Sequence, residues 1–194
     1  MKYFNQLKAA LFLISLIPFM RLVWYGYSSQ LGANPIEVIT RSLGTWTLVF
    51  LLITLSITPL RKLSGWNWLI KLRRMAGLFA FFYALLHFIT YIWLDQFFDL
   101  ADIYKDVIKR PFITIGFAAF VLLIPLAVTS NNAMMKKLGG KRWQMLHWLI
   151  YPIAIFAVLH YWWLVKKDIT QPAIYAAILA ILLAYRVWKQ RKTR

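Results

Sequence analysis

Six stretches of this chain are too long and too apolar for the interior of a water-soluble domain of its size. They run over residues 8–27, 42–60, 75–94, 112–129, 143–165 and 173–188. A helix crosses a bilayer core of roughly 30 Å with about 20 mainly apolar residues, so each stretch reads as a membrane span. Hydrophobic residues make up 61% of the 194-residue chain and charged residues only 15%, where soluble domains have about a quarter charged. Most of the side chains are therefore built for hydrocarbon. The expected fold class is all-α: a polytopic membrane helical bundle of six transmembrane helices. The length leaves no room for a second, soluble unit, so residues 1–194 are expected to form a single transmembrane domain. No removable signal peptide is expected, because no small-residue cleavage site follows the first apolar run.

The net charge of +17 does not point to nucleic acid, because the basic residues sit in clusters between apolar runs. Lys2 and Lys8 precede the first span. Arg61, Lys62, Lys71, Arg73 and Arg74 lie between the second and third, and Lys136, Lys137, Lys141 and Arg142 between the fourth and fifth. Arg186, Lys189, Arg191, Lys192 and Arg194 end the chain. All these clusters fall on one side of an even number of spans, and the six acids (Glu37, Asp95, Asp99, Asp102, Asp106, Asp168) fall on the other. The positive-inside rule then places both termini in the cytoplasm. Residues 95–111 are outside, with room for a short amphipathic helix whose acids recur at three- and four-residue spacing.

Chemistry has few carriers here. The chain has no cysteine, which excludes disulfides and thiolate metal sites. Its three histidines, His87, His147 and His160, all fall inside predicted spans, where ionisable residues are costly and usually functional. The bland reading of a single one is an interhelical hydrogen bond. Depth argues for more. Counted from the outer ends of their spans, His87 and His160 lie at nearly the same level, roughly 11 and 9 Å down. Two imidazoles at one level on separate helices can clamp a single haem iron, leaving no open position, which suits electron transfer. His147 lies 13 residues before His160, about 20 Å nearer the cytoplasm, and an unbroken helix would turn the two rings roughly 140° apart. Pro152 between them could change that. Thirteen residues before His87 stands Arg74, beside Arg73. Arginine stays protonated, so it suits a haem propionate or a flavin phosphate better than an iron. The bland reading of Arg73-Arg74 is a topology anchor.

Several segments taken in order resemble a known family. They are Pro18-Phe19 with Leu22-Val23-Trp24, Leu31-Gly32-Ala33-Asn34-Pro35, Thr58-Pro59-Leu60, Arg73-Arg74 with Gly77, and Leu86-His87 with Tyr91. Arg110-Pro111, Ile115-Gly116, Thr129-Ser130, Leu138-Gly139, Trp143, Leu146-His147, Tyr151 and His160 complete the set. This set, from about residue 10 to residue 185, resembles the ferric-reductase-like transmembrane family, which includes the NADPH oxidases. The closer likeness is to haem-binding membrane subunits of periplasmic methionine sulfoxide reductase systems. The resemblance implies haem b, one group or two, with FMN as an associated cofactor. It implies His87, His147 and His160 as axial-ligand candidates. It also implies electron flow from a cytoplasmic flavin reductase, or from quinol, to a periplasmic molybdenum enzyme that reduces methionine sulfoxide in proteins. The setting would be the bacterial inner membrane. NADPH oxidases have a fourth histidine where this chain has Arg74, and they carry a dehydrogenase domain with no counterpart here. Reducing equivalents would come from another protein, and no substrate-reducing site of the chain's own is expected. Two other classes stay open: a small membrane transporter, against which the lack of acids within the expected spans argues, and a cofactor-free membrane scaffold.

Overall fold

The computed structural model describes residues 3–192; Lys2 and Arg194, used above for orientation, lie outside them. Nine helices are found among the described residues: α1 Phe4–Tyr27, α2 Pro35–Ser64, α3 Arg73–Thr90, α4 Leu100–Lys109, α5 Pro111–Val128, α6 Asn132–Leu138, α7 Gly140–His147, α8 Ile150–Leu164 and α9 Thr170–Lys192. No strand occurs among those residues. Six units are long and apolar enough to cross a membrane: α1, α2, Asn67–Asp95 around α3, α5, α7 with α8, and α9. The chain is thus a multi-pass all-α membrane protein.

The helices overrun the expected spans because caps, and not hydropathy, decide where a helix ends. In α2, the Asn34 side chain accepts the Glu37 amide at 3.3 Å and donates to the Glu37 carboxylate at 2.9 Å. Pro35 fills the first helical position, where its missing N–H costs nothing. The helix therefore begins seven residues before the expected start of the span, and its first turns carry Glu37 and Arg41. In the third unit a 3-10 turn, Asn67–Leu72, leads into α3, and a wider π turn, Tyr91–Asp95, follows it.

The fifth span is two helices. It breaks at Trp148 and Leu149, where the Leu149 amide bonds back three residues to Leu146 and the Tyr151 amide to Trp148. Pro152, four residues after Trp148, has no N–H for the Trp148 carbonyl and its ring crowds that carbonyl, so the helix opens one turn before the proline. Beyond α3, Phe97 and Phe98 adopt left-handed backbone angles (φ 47° and 62°), a conformation that costs roughly 1–3 kcal/mol each. The reversal lays α4 across the end of the bundle where α3 stops and α5 starts. The amphipathic helix expected between the third and fourth spans is present, and its acids do different jobs. Asp99 caps α4, Asp102 pairs with Lys105, and Asp106 turns inward to Arg110.

Helix α2 is the central post, with Leu43, Leu48, Phe50, Leu51, Leu52, Leu55 and Ile57 buried along it. It packs against α3, where the Tyr83 ring lies parallel to Phe50 at 5.4 Å and its hydroxyl donates to the Ser15 carbonyl of α1 at 2.6 Å. Helices α5 and α8 form the second tight pair. The outward faces of α1 and α9 expose Leu13, Ile14, Ile17, Met20, Ile174, Ile178 and Ile181, which suits a chain whose solvent is lipid.

One basic residue counted in the C-terminal cluster points inward. Pro59 lies inside α2 and deprives the Leu55 carbonyl of its helical donor. Arg186 of α9 supplies one, its Nη2 donating to that carbonyl at 2.6 Å, while Nη1 donates to the Tyr151 hydroxyl of α8. A single guanidinium thus ties α2, α8 and α9 together.

Candidate functional site

His87 and His160 meet. Their ring centroids are 6.2 Å apart and their planes stand at 78°. The same local device positions each ring. The Nδ1 of His87 lies 2.9 Å from the carbonyl oxygen of Thr40 on α2, and that of His160 lies 2.7 Å from the carbonyl of Phe112 on α5. A carbonyl can only accept, so Nδ1 carries the proton in both rings and Nε2 keeps its lone pair. Neither Nε2 has a hydrogen-bond partner among the described residues. Four residues after each anchoring carbonyl stands a glycine. A Cβ on Gly44 would lie 3.1 Å from His87, and one on Gly116 only 2.6 Å from the Nδ1 of His160. Both glycines are bare because an imidazole rests on them.

The two rings line a cavity of about 370 Å³ in the half of the bundle that α4 covers. Its body is apolar, with Leu48, Leu51, Phe88, Phe117, Phe120 and Ile153. Its end nearest α4 is polar, with Thr40, Arg41, Tyr91, Asp95 and Arg110. The hydroxyls of Thr40 and Tyr91 are buried there with no hydrogen-bond partner. Ile103 and Val107 of α4 close it from above.

A second cavity of about 300 Å³ lies towards the other end of the bundle, and Leu123 lines both. This one collects the remaining residues singled out from the sequence: His147, Arg73 and Arg74, with Trp143, Ser130, Thr54 and Gly77. The break at Trp148 lets His147 and His160 face the bundle interior at two levels. His147 has a different setting from the other pair. It stacks on Trp143, with centroids 3.9 Å apart. Its Nε2 lies 3.1 Å from the Thr129 hydroxyl, whose own proton goes to the Pro125 carbonyl at 2.6 Å, so Nε2 is the protonated nitrogen. No second imidazole faces it. Arg73 is half-buried in the cavity wall, whereas Arg74 is exposed and donates to the Asn132 side chain at 2.7 Å. Among the described residues there is no group of three histidine, cysteine or carboxylate side chains that could hold a metal ion.

Sequence reasoning passed over Gly44, Arg41 and the anchoring carbonyls of Thr40 and Phe112, and it used Arg110 and Gly116 only within the resemblance. A signal was present for the glycines. Each lies inside an expected span, in the half that on another helix carries a histidine, where a small residue lets a ring reach the backbone.

Residues 42–158 match the family described as ferric reductase like transmembrane component. Over 190 residues the chain is 61% identical to a protein of Herminiimonas arsenicoxydans, covering 95% of this chain and 87% of the relative. Over 189 residues it is 54% identical to one of Ralstonia nicotianae, covering 96% and 87%. Over 184 residues it is 56% identical to one of Azospira oryzae, covering 94% and 79%. Each of these relatives is named protein-methionine-sulfoxide reductase heme-binding subunit MsrQ. With the matched segment holding His87 and His147 and ending two residues before His160, and with relatives of this identity along nearly the whole chain, this chain belongs to the ferric-reductase-like transmembrane family and, within it, to the MsrQ group.

Proposed function

We propose that the chain is a haem b electron-transfer subunit of a protein-methionine-sulfoxide reductase system, with His87 and His160 as the two axial ligands in the outer cavity. The observation that carries this reading is the pair of imidazoles held at 6.2 Å with both Nε2 lone pairs unused. A metal-bound histidine almost always donates its other N–H to a carbonyl or carboxylate, and both rings already do so. Two imidazoles each about 2 Å from one metal ion bring their centroids roughly 6 Å apart, as here. The amphipathic cavity, with two buried hydroxyls that lack partners, also suits a flat apolar macrocycle with a charged edge. Haem held by two histidines supplies a one-electron relay with no open position for oxygen or substrate.

The chain's own residues do the rest. The Thr40 and Phe112 carbonyls fix ring orientation and tautomer. Phe88, Phe117 and Phe120 keep water from the cavity wall. Arg73, Arg74 and His147 form the inner, cationic station, suited to a propionate of a second haem or the phosphate of FMN. Electrons would enter at that station from a cytoplasmic flavin reductase or the quinol pool. They would leave from the outer cavity to an MsrP-type periplasmic molybdoenzyme that reduces methionine sulfoxide in proteins. The names of the relatives support the system, and the basic clusters support placement in the bacterial inner membrane with both termini cytoplasmic.

The deciding measurement is the optical spectrum of the purified protein before and after dithionite, with the haem-to-protein ratio. The expected result is a red protein with a low-spin b-type spectrum that loses the outer haem in His87→Ala and in His160→Ala. A colourless protein, or either variant keeping the parental spectrum and haem content, refutes the assignment.

A further inference from the structure

The outer cavity has a charged end that the ligand pair does not account for. Arg41 lies next to Thr40, whose carbonyl anchors His87, and Arg110 lies two residues before Phe112, whose carbonyl anchors His160. Each histidine is thus tied to a helical turn that also presents one arginine, and both arginines line the cavity. One comes from α2 and the other from the residue that caps α5, so they reach the cavity from two different helices. Each is held by a single contact to the acid four residues away: Arg41 to Glu37 at 2.6 Å, and Arg110 through Nε to Asp106 at 3.3 Å. A guanidinium has five N–H donors in a rigid fork, so most of each fork is unused. The Arg41–Glu37 pair is exposed at both ends, and such pairs are weak and exchange readily. The buried hydroxyls of Thr40 and Tyr91, with no acceptor in reach, lie at the same end of the cavity.

We propose that Arg41 and Arg110 are the anchor for the two carboxylates at one edge of the macrocycle, with the Tyr91 and Thr40 hydroxyls as further donors, so that this edge faces the outer, α4-covered end. The proposal rests on the haem reading above and adds the orientation of the bound group. Two carboxylates at the edge of an apolar plate need two cationic forks at one end of an apolar slot, and no other part of this cavity wall carries a cation. Arg21, the other arginine near the outer side of the bundle, is exposed, lies over the Tyr25 ring at 5.7 Å, and does not line the cavity.

The test uses the purified holoprotein in detergent. Transfer of haem to apomyoglobin is timed, and the midpoint potential is measured by redox titration, for the parent, Arg41→Gln, Arg110→Gln, Glu37→Gln and the control Arg21→Gln. Loss of one charge-assisted pair is expected to speed haem transfer roughly tenfold in each cavity variant. The low-spin band should persist, because the histidines are untouched, and the potential should move negative as a neighbouring cation is removed. Arg41→Lys and Arg110→Lys, which keep the charge, should hold the potential closer to the parent than the glutamine variants do. Glu37→Gln removes the acid that competes for Arg41 while keeping an amide oxygen to accept from the Asn34 side chain in the α2 cap, and it should act in the opposite direction, with slower transfer and a more positive potential. Arg21→Gln should match the parent. If the parent is red and low-spin but the Arg41, Arg110 and Glu37 variants keep its transfer rate and potential, this proposal is overturned and the ligand assignment stands. A parent without haem overturns both.

Discussion

Replacing Gly116 by alanine tests the ligand geometry with a single methyl group. The added Cβ would lie 2.6 Å from Nδ1 and 2.9 Å from Cε1 of His160, and both atoms belong to a ring already pinned to the Phe112 carbonyl. To reach ordinary contact the ring must retreat by roughly 1 Å, which breaks a 2.7 Å hydrogen bond. Overpacking costs about 1–3 kcal/mol and a stranded N–H about as much again. Alanine returns up to about 1 kcal/mol through better helix propensity, so α5 itself is not weakened. Binding constellations tolerate only about 0.5 Å of misplacement. The expected outcome is therefore a folded protein that has lost most of its outer haem or shows a high-spin component. Gly44→Ala, whose Cβ would meet His87 at 3.1 Å, should produce a milder version. The assay is the haem-to-protein ratio and low-spin absorbance of both variants, with thermal unfolding in detergent as the folding control. Parental haem content and spectrum in Gly116→Ala would refute the reasoning, and so would a larger loss in Gly44→Ala than in Gly116→Ala.

Arg186→Met should lower thermal stability by about 1–3 kcal/mol, because the Leu55 carbonyl and Tyr151 hydroxyl lose their donor. The loss should be smaller in a Pro59→Ala background, where residue 59 regains an N–H for Leu55; equal losses in the two backgrounds would disprove the coupling. A fluorescent protein fused after residue 192 should fluoresce and alkaline phosphatase fused at Lys105 should be active, with the reverse pattern overturning the orientation. Asp168 accepts hydrogen bonds from the Thr170 amide and side chain, which hold its carboxyl below the ordinary value of 3.8. Because the folded value lies below the unfolded one, this support for the start of α9 is present above pH 3.8 and is lost as pH falls through the lowered value. The protection factor of the Thr170 amide, its exchange rate relative to the intrinsic rate at each pH, should hold steady from pH 7 to about pH 4 and fall below that, and in Asp168→Asn it should depend less on pH; a factor unchanged in the parent between about pH 5 and pH 3 would refute this.

Much of the fold could be read along the chain because hydrocarbon as solvent leaves a coarse and continuous mark. Each span was legible as a long apolar run, and α4 as a polar stretch with helical spacing. The ends were not, since the start of α2 depends on Asn34 capping the Glu37 amide through a polar segment that hydropathy scores as loop. Charge was legible and its direction was not. Arg186 counts towards the basic C-terminus like its neighbours, yet it reaches inward because Pro59, 127 residues earlier, leaves a carbonyl open. Only a comparison of the two helices could have linked those residues.

The site divides along the same physical line. Depth in a bilayer is one-dimensional and follows from residue counts at 1.5 Å per residue, so the common level of His87 and His160 was open to arithmetic. Azimuth is not. Which way a ring points depends on helix phase, and a break such as that at Trp148 resets the phase of everything after it. The counted 140° between His147 and His160 assumed an unbroken helix, and the open turn lets both rings line cavities within the bundle. Azimuth leaves a trace only where packing is tightest. A glycine at the level of a histidine on another helix marks the side from which the ring arrives, and this chain places one opposite each ring of the outer pair, at Gly44 and Gly116. His147 has no such glycine; it rests on Trp143 and the Thr129 hydroxyl, which fix its Nε2–H tautomer, and no second imidazole faces it.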